Sequence, residues 1–188
     1  MAEKQLETLL SPSDYLALER ASDVKHEYVS GELRLMAGAS KRHILITINL
    51  ASALRKELKG KPCKTYANEM KITVGKQERY FYPDISVICG NSSFIEDDVA
   101  ADAVLIAEVL SPSTEKYDRG EKFKSYQNLP SLKDYLLVSQ EKKEVEWYHK
   151  VGENEWHYSR YTNPNDELHF DAIGAGLKLE EVYEEVWE

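Results

Sequence analysis

Two acidic residues stand alone within apolar runs of this sequence. Asp84 lies directly behind a proline in FYPDISVICG, and Glu108 is the only charge in AVLIAEVL. Burying either carboxylate without compensation would cost on the order of several kcal/mol. One such acid alone could be a turn residue or the partner of an arginine. Two of them on neighbouring core strands predict that something positive lies between them.

A hard divalent cation would satisfy this pair of carboxylates. Carboxylates and water suit Mg²⁺ or Mn²⁺, which normally keep open positions for a phosphate oxygen and a nucleophilic water. The pair Asp84 and Glu108 therefore predicts hydrolysis of a phosphodiester bond, and a nearby lysine would orient the water and stabilise the transition state. A lysine close to the two acids is the next feature that this chemistry requires.

Length and composition indicate one folded domain over residues 1–188. The chain has 188 residues, of which 42% are hydrophobic and 30% charged, as in ordinary globular proteins. The formal net charge of −9 disfavours tight nonspecific binding of nucleic acid, because such proteins usually present a basic face. If nucleic acid is the substrate, a structured or protein-delivered one is favoured.

Targeting signals and cysteine motifs are absent from the sequence. Residues 1–10 include Glu3, Lys4 and Glu7, and no stretch approaches the roughly 18 apolar residues that cross a bilayer. We therefore expect a cytoplasmic protein without membrane contact. Cys63 and Cys89 lack CxxC spacing and histidine neighbours, so we interpret both as small core residues without a disulfide or a zinc ion.

Local patterns predict the elements that would position the two acids. The first half gives a helix after Ser11-Pro12, two short strands about Ser30-Gly31, and a long helix that ends before Gly60. Two strands follow, near 63–74 and 80–89, with hairpin pairing expected across 75–78. Residues 90–101 are polar and predict a loop.

The second half predicts a crossover. The strand 103–110 is apolar on both faces, as in a covered central strand, and a helix at 118–128 and a strand at 135–139 follow it. This spacing predicts a parallel strand pair within a mixed sheet. A hairpin over 144–161 and a short helix over 179–187 complete an α/β (α+β) fold, in which helices flank a mixed central sheet.

Sequence blocks along the chain resemble a known family. Pro83-Asp84 with the isolated Glu108 is similar to the PD-(D/E)XK nuclease superfamily, although the E-x-K position holds Leu110. The blocks KHEYVSGELRLMAGAS, NEMKI, FYPDISVICG and AEVLSPSTEKYDRGEKF resemble the Uma-type family of restriction-endonuclease-like proteins, a branch in which the lysine has moved to the next helix. The resemblance implies a restriction-endonuclease-like core.

The resemblance also implies roles for particular residues. Asp84 and Glu108 would be the ligands of Mg²⁺ or Mn²⁺, and Lys122 would be the migrated lysine that completes the catalytic set. Tyr126, four residues after Lys122, would share its helix face and contact the substrate, as in the Q-x-x-x-Y element of RecB-like nucleases. Lys124 points elsewhere on this helix, so we expect it to be exposed.

Three further residues have open alternatives. Glu32 is an extra acid of the site or a solvated turn residue. Glu69 is a further acid of the site or the ion-pair partner of Lys71 or Lys64. His43, at the start of the long helix, contacts a substrate phosphate or serves as a packing or capping residue.

Two functions of different classes follow. The first is a metal-dependent endonuclease that acts on nucleic acid, with DNA as the expected target. The second is a non-catalytic binding or assembly module that retains the nuclease fold, which the acidic total and the absent E-x-K lysine favour. The resemblance further implies a homodimer.

Overall fold

The computed structural model describes residues 9–90 and 94–187, which form five α-helices, a π-helical turn and fourteen strands. The helical segments are α1 (Pro12–Ala21), α2 (Lys41–Glu57), α3 (Glu115–Tyr117), a π-helical turn (Asp118–Lys122), α4 (Phe123–Tyr126) and α5 (Leu179–Val182). The strands are β1 (His26–Val29), β2 (Glu32–Leu35), β3 (Cys63–Ala67), β4 (Lys71–Val74), β5 (Arg79–Phe81), β6 (Ile85–Cys89), β7 (Phe94–Glu96), β8 (Val99–Ala100), β9 (Leu105–Leu110), β10 (Asp134–Ser139), β11 (Val145–Lys150), β12 (Trp156–Tyr161), β13 (Glu167–Phe170) and β14 (Ala175–Lys178).

Two six-stranded mixed sheets and one small hairpin hold these strands. The first sheet has the order β2-β1-β5-β4-β8-β7, and the second has the order β12-β11-β10-β9-β6-β3. Strands β13 and β14 pair only with each other. The predicted fold class, mixed α and β, is confirmed, but two large sheets take the place of one central sheet. That residues 1–188 form one domain stays a prediction.

The predicted hairpin over residues 63–89 is divided between the two sheets. Its tip, β4 with β5, belongs to the first sheet, and its base, β3 with β6, belongs to the second. The pairing is interrupted at Asn68, which has a φ of 55°, and at Pro83, which has no N–H to donate. The Asn68 N–H donates instead to the Asp84 carbonyl at 3.2 Å. Asp84 therefore lies where the chain passes from one sheet to the other.

The predicted crossover around β9 is confirmed. Strands β9 and β10 are parallel, with Glu108 opposite Leu137, and the helical segment 115–126 lies between them in the chain. All six residues of β9 are buried. Leu105, Ala107 and Val109 pack in the core beneath α2, and alternate residues, such as Ile106, pack on the side of the helical segment. The same alternation directs Glu108 toward the helical segment.

Several predicted boundaries were wrong. Residues 90–101 were predicted to be a loop, but β7 and β8 lie there, and Val99 and Ala100 are fully buried against β4. Residues 91–93 of that range lie outside the described residues. The helix predicted over 118–128 begins at Glu115 and ends at Tyr126, and the helix predicted over 179–187 ends at Val182. Tertiary contacts across the sheets set these limits, and local patterns do not contain them.

The cysteine prediction was also wrong. Cys63 and Cys89 lie directly opposite each other in the antiparallel pair of β3 and β6, and they form a disulfide. They are 26 residues apart in sequence, so only the pairing register brings them together. Among the described residues, no helix is long and apolar enough to cross a membrane.

Candidate active site

Asp84 directly precedes β6, and Glu108 lies on the neighbouring strand β9 of the second sheet. The antiparallel register of β6 and β9 pairs Ile85 with Ala107, and continuing it by one residue places Asp84 opposite Glu108. At this point a side chain takes over from the backbone hydrogen bonds between the two strands, because Asp84 Oδ2 accepts the Val109 N–H at 2.7 Å. The carboxylate is thereby fixed against the strand that carries Glu108.

Lys122 lies among three buried acids. Its Nζ is 2.8 Å from Glu27 Oε1, 2.9 Å from Glu108 Oε1 and 3.8 Å from Asp118 Oδ1. All four residues are at most 5% exposed. Asp118 and Lys122 are the two ends of the π-helical turn, a rare conformation that is frequent at functional sites. We call Glu27, Glu108, Asp118 and Lys122 the lysine cluster.

Tyr126 binds the same oxygen of Glu108 as Lys122 does. Its hydroxyl donates to Glu108 Oε1 at 3.1 Å, and its side chain is fully buried. The sequence predicted that Tyr126 shares the helix face of Lys122 and contacts the substrate. The first part agrees with the structure, whereas the burial of Tyr126 points to a role in positioning Glu108.

His43 holds the other side of Asp84. The Ser40 hydroxyl caps α2 by accepting the His43 N–H at 3.1 Å, which fixes His43 in the first turn. From there His43 Nε2 lies 2.8 Å from Asp84 Oδ1. The side chains of His43 and Asp84 are 16% and 15% exposed, more than any member of the lysine cluster. This is the side from which solvent reaches the site.

Burial and mutual repulsion set the protonation of the lysine cluster. Burial raises the pKa of Glu108 well above its ordinary value; the Lys122 charge opposes this, and the charges of Asp118, Asp84 and Glu27 add to it. Burial likewise raises the pKa of Asp118. For Lys122, burial favours the neutral amine, but Glu108 and Glu27 outweigh it and raise the pKa well above its ordinary value. Lys122 is therefore a cation.

The donor set fits a hard divalent cation in its chemistry. The Glu27, Glu108 and Asp118 carboxylates lie within 3.8 Å of one ammonium, and the Asp84 charge also acts on Glu108, so a cation would relieve an excess of negative charge. Asp84 and Glu108 are the residues that would hold it. Residues 9–90 and 94–187 contain no group of three His, Cys, Asp or Glu side chains already arranged around a metal position.

Two other acids considered from the sequence lie apart from this site. Glu32 is exposed on β2, where its backbone pairs with Val29, and neither a hydrogen bond nor an ion pair joins its side chain to any described residue. Glu69 is exposed and pairs with Lys25, and neither of the partners considered, Lys71 or Lys64, takes that role. Lys124 is exposed, as predicted.

Sequence reasoning missed two acids of the lysine cluster. Glu27 lies within the strand segment HEYV, one residue before the buried Tyr28, so a charge at a strand position was its signal. Asp118 precedes Lys122 by four residues, a spacing that places two side chains on one helix face. Neither acid was connected with Lys122 from the sequence alone.

Comparisons with known proteins give one matching family model, two similar sequences and one similar fold. A model of the Uma2 family, described as "Putative restriction endonuclease", matches residues 12–180. Two relatives from Synechocystis sp. (strain PCC 6803), the uncharacterized proteins slr1290 and sll1609, are 37% and 35% identical to this chain. These alignments cover 93% and 88% of this chain and 91% and 94% of the relatives. A crystal structure described as a putative nuclease belonging to DUF820, from Anabaena variabilis, is similar in fold, with a TM-score of 0.75 and 14% identity over 94% of this chain and 98% of that one.

Proposed function

Because this chain belongs to the Uma2 family, described as putative restriction endonucleases, we propose that it hydrolyses phosphodiester bonds in nucleic acid, with DNA as the target. The observation that carries the proposal is the buried Lys122, held between Glu27 and Glu108 at 2.8 and 2.9 Å. Burying four titratable residues costs free energy, and such clusters concentrate at functional sites.

Each residue has a role that its position supports. Asp84 and Glu108 would hold Mg²⁺ or Mn²⁺, which supplies a polarised water and neutralises charge on the phosphate when it is bound. The Lys122 ammonium, 2.9 Å from Glu108 Oε1, would stabilise the negative charge that develops on the phosphate oxygens. Tyr126 keeps Glu108 in place through its hydroxyl.

His43 belongs to the side by which substrate would enter. It is partly exposed, it contacts Asp84 Oδ1, and it lies in the first turn of the 17-residue helix α2, where free N–H groups favour anions. We propose that His43 positions Asp84 and contacts the phosphate backbone. Glu27 holds Lys122 from the first sheet, and we propose that Glu27, not Glu32, is the extra acid of the site.

Nicking of supercoiled plasmid with Mg²⁺ or Mn²⁺ tests this function. We expect the wild type to nick, and Asp84→Asn, Glu108→Gln and Lys122→Met each to lose about 100-fold or more in rate. Lys124→Met is the matched control, because it removes an exposed lysine two residues away and should keep full activity. Circular dichroism verifies that each variant is folded.

A specific observation favours a second candidate, a non-catalytic nuclease-fold module. Both Asp84 oxygens already have partners, in His43 and the Val109 N–H, and Lys122 occupies Glu108 Oε1. A folded wild type that neither nicks plasmid nor binds Mn²⁺ by calorimetry would support the module and reject the nuclease. Binding of Mn²⁺ that Asp84→Asn and Glu108→Gln abolish would support the nuclease.

A further inference from the structure

Strand β2 is an exposed apolar edge of the first sheet. It follows the two-residue turn Ser30-Gly31, in which φ is 51° and 99°. Among residues 9–90 and 94–187 its one partner strand is β1, and the Leu10 N–H donates to the Gly31 carbonyl beside the turn at 3.3 Å. Leu33 and Leu35 are 38% and 68% exposed. Open edges with apolar side chains are ready templates for another strand, and proteins usually protect them with charge or by covering them.

The hydrogen-bond pattern shows which groups of this edge are open. The Met36 N–H donates to the Lys25 carbonyl at 2.9 Å, so Met36 faces β1. Residues that face the partner alternate in an antiparallel pair, so Glu32 and Arg34 also face β1. Leu33 and Leu35 therefore turn their N–H and C=O groups outward, and no backbone hydrogen bond among the described residues uses those groups.

We propose that β2 pairs antiparallel with β2 of a second copy of this chain, about a two-fold axis at Leu33. A two-fold axis requires a self-complementary strand, and only outward-facing residues can form the bonded pairs. Two central registers meet this requirement. The first places Leu33 opposite Leu33 of the second copy, and the other places Leu33 opposite Leu35.

Charge selects between the two registers. With Leu33 opposite itself, Glu32 lies opposite Arg34 of the second copy, and the symmetry gives two such attractive pairs. With Leu33 opposite Leu35, Arg34 lies opposite Arg34, which is repulsive. Glu32 has no ionic partner among the described residues, so it is available for this contact. Arg34 Nη2 is 3.0 Å from Glu121, and its guanidinium has further donors for a second carboxylate.

An exposed apolar face of α2 fits a second copy less well. On α2, Ile44 and Ile48 are 49% and 53% exposed. An antiparallel helix pair centred on Ile48 would bring Lys41 against Arg55 of the second copy, and like charges oppose that contact. The charge pattern thus favours the β2 edge over the α2 face. This inference does not depend on the hydrolysis proposed above.

Sedimentation velocity over a range of protein concentrations tests the interface. We expect the wild type to be a dimer and Leu33→Lys to be a monomer. Leu18→Lys is the matched control, because Leu18 is 40% exposed on α1, and it should remain a dimer. A monomeric wild type, or a dimer that Leu33→Lys leaves intact, would overturn the proposal.

A charge exchange tests the register. Glu32→Arg should raise the Kd of the dimer by roughly tenfold or more, because it turns two attractive pairs into repulsive ones. The double variant Glu32→Arg/Arg34→Glu should return the Kd to within about threefold of wild type. If the Kd of the double variant stays as high as that of Glu32→Arg, the register with Leu33 opposite Leu33 is rejected. A monomeric wild type whose Leu33 and Leu35 amides resist hydrogen exchange would assign the edge to another segment of the same chain, and would also overturn the proposal.

Discussion

Two buried carboxylates on adjacent strands, Glu108 and Asp134, have contrasting surroundings. They lie on the parallel strands β9 and β10, toward opposite ends and on opposite faces of the second sheet. Asp134 Oδ1 accepts from Trp147 Nε1 and contacts His149 Nδ1, both at 2.8 Å. Its Oδ2 is buried, and no described residue forms a hydrogen bond with it. Burial raises the pKa of both acids.

The difference lies in where the partners come from. Asp134 is held by two neutral or weakly basic groups of the next strand, β11, so its environment is local to one sheet. Glu108 meets charged groups from β1, the π-helical turn and the β6 entry, which belong to both sheets. Burial of an acid alone therefore does not mark a site. Convergence of charges from separate elements is what distinguishes the candidate site from the surroundings of Asp134.

The largest expected effect is the loss of the cation from the lysine cluster. Lys122→Met should lower the free energy of unfolding by about 3–5 kcal/mol at pH 7, because it leaves buried acids without their counter-charge. Urea denaturation measures this loss. Lys124→Met should change it by less than about 0.5 kcal/mol. A loss under about 1 kcal/mol for Lys122→Met would show that the lysine cluster is solvated.

Removal of Asp134 should lower the free energy of unfolding by less than removal of Lys122 does, and it should leave the candidate active site intact. Asp134→Ala should lower the free energy of unfolding by about 2–3 kcal/mol, because Trp147 Nε1 and His149 Nδ1 lose their acceptor. Asp134→Asn keeps one acceptor oxygen, so it should lower the free energy of unfolding by less than Asp134→Ala does. Mn²⁺ binding and plasmid nicking by the folded variants should match wild type. Lost Mn²⁺ binding would mean that the two regions are coupled.

Two buried tyrosines, Tyr126 and Tyr135, each donate a hydrogen bond to a member of the lysine cluster and extend the comparison. Tyr126→Phe removes the hydroxyl that donates to Glu108 and should lower the free energy of unfolding by about 1–2 kcal/mol. Tyr135→Phe removes a donor to the Asp118 carbonyl at 2.9 Å and should cost about 1 kcal/mol. Thermal melts compare the two. Only Tyr126→Phe should weaken Mn²⁺ binding, and equal weakening by Tyr135→Phe would contradict a specific role for Tyr126.

The smallest expected effect is a pH dependence at Asp118. Its pKa is raised in the folded protein above the ordinary value of 3.8, so the folded state binds the proton more tightly than the unfolded chain. The free energy of unfolding therefore falls as pH rises from about 4 through the raised pKa. Asp118→Asn does not titrate, so its free energy of unfolding relative to wild type should rise across this window, as urea denaturation at several pH values would measure. A difference that stays constant with pH would contradict the shift.

Sequence reasoning found the residues with clear local signals. Asp84 and Glu108 are isolated charges in apolar runs of the sequence, and Lys122 was assigned from the family resemblance. The structure brings these three together, although their catalytic roles stay proposals. The parallel pair β9 and β10 followed from strand, helix and strand lengths.

The features that were not predicted from the sequence depend on contacts between distant segments of the chain. The division of the 63–89 hairpin follows from a break at Asn68 that has no proline or glycine to announce it. Strand β8 has two residues, too few for a periodic pattern, and it forms because β4 offers a free edge. Glu27 belongs to the site only because the first sheet packs against the helical segment that carries Lys122.

The position of Asp84 at the junction of the two sheets has a consequence for refolding. Its three contacts, with Asn68, His43 and Val109, need both halves of the divided hairpin, the start of α2 and strand β9. An intermediate with only one sheet formed would have most of its secondary structure and lack these contacts. In stopped-flow refolding, capacity to bind Mn²⁺ should therefore return in the slowest phase, after the far-ultraviolet signal is complete.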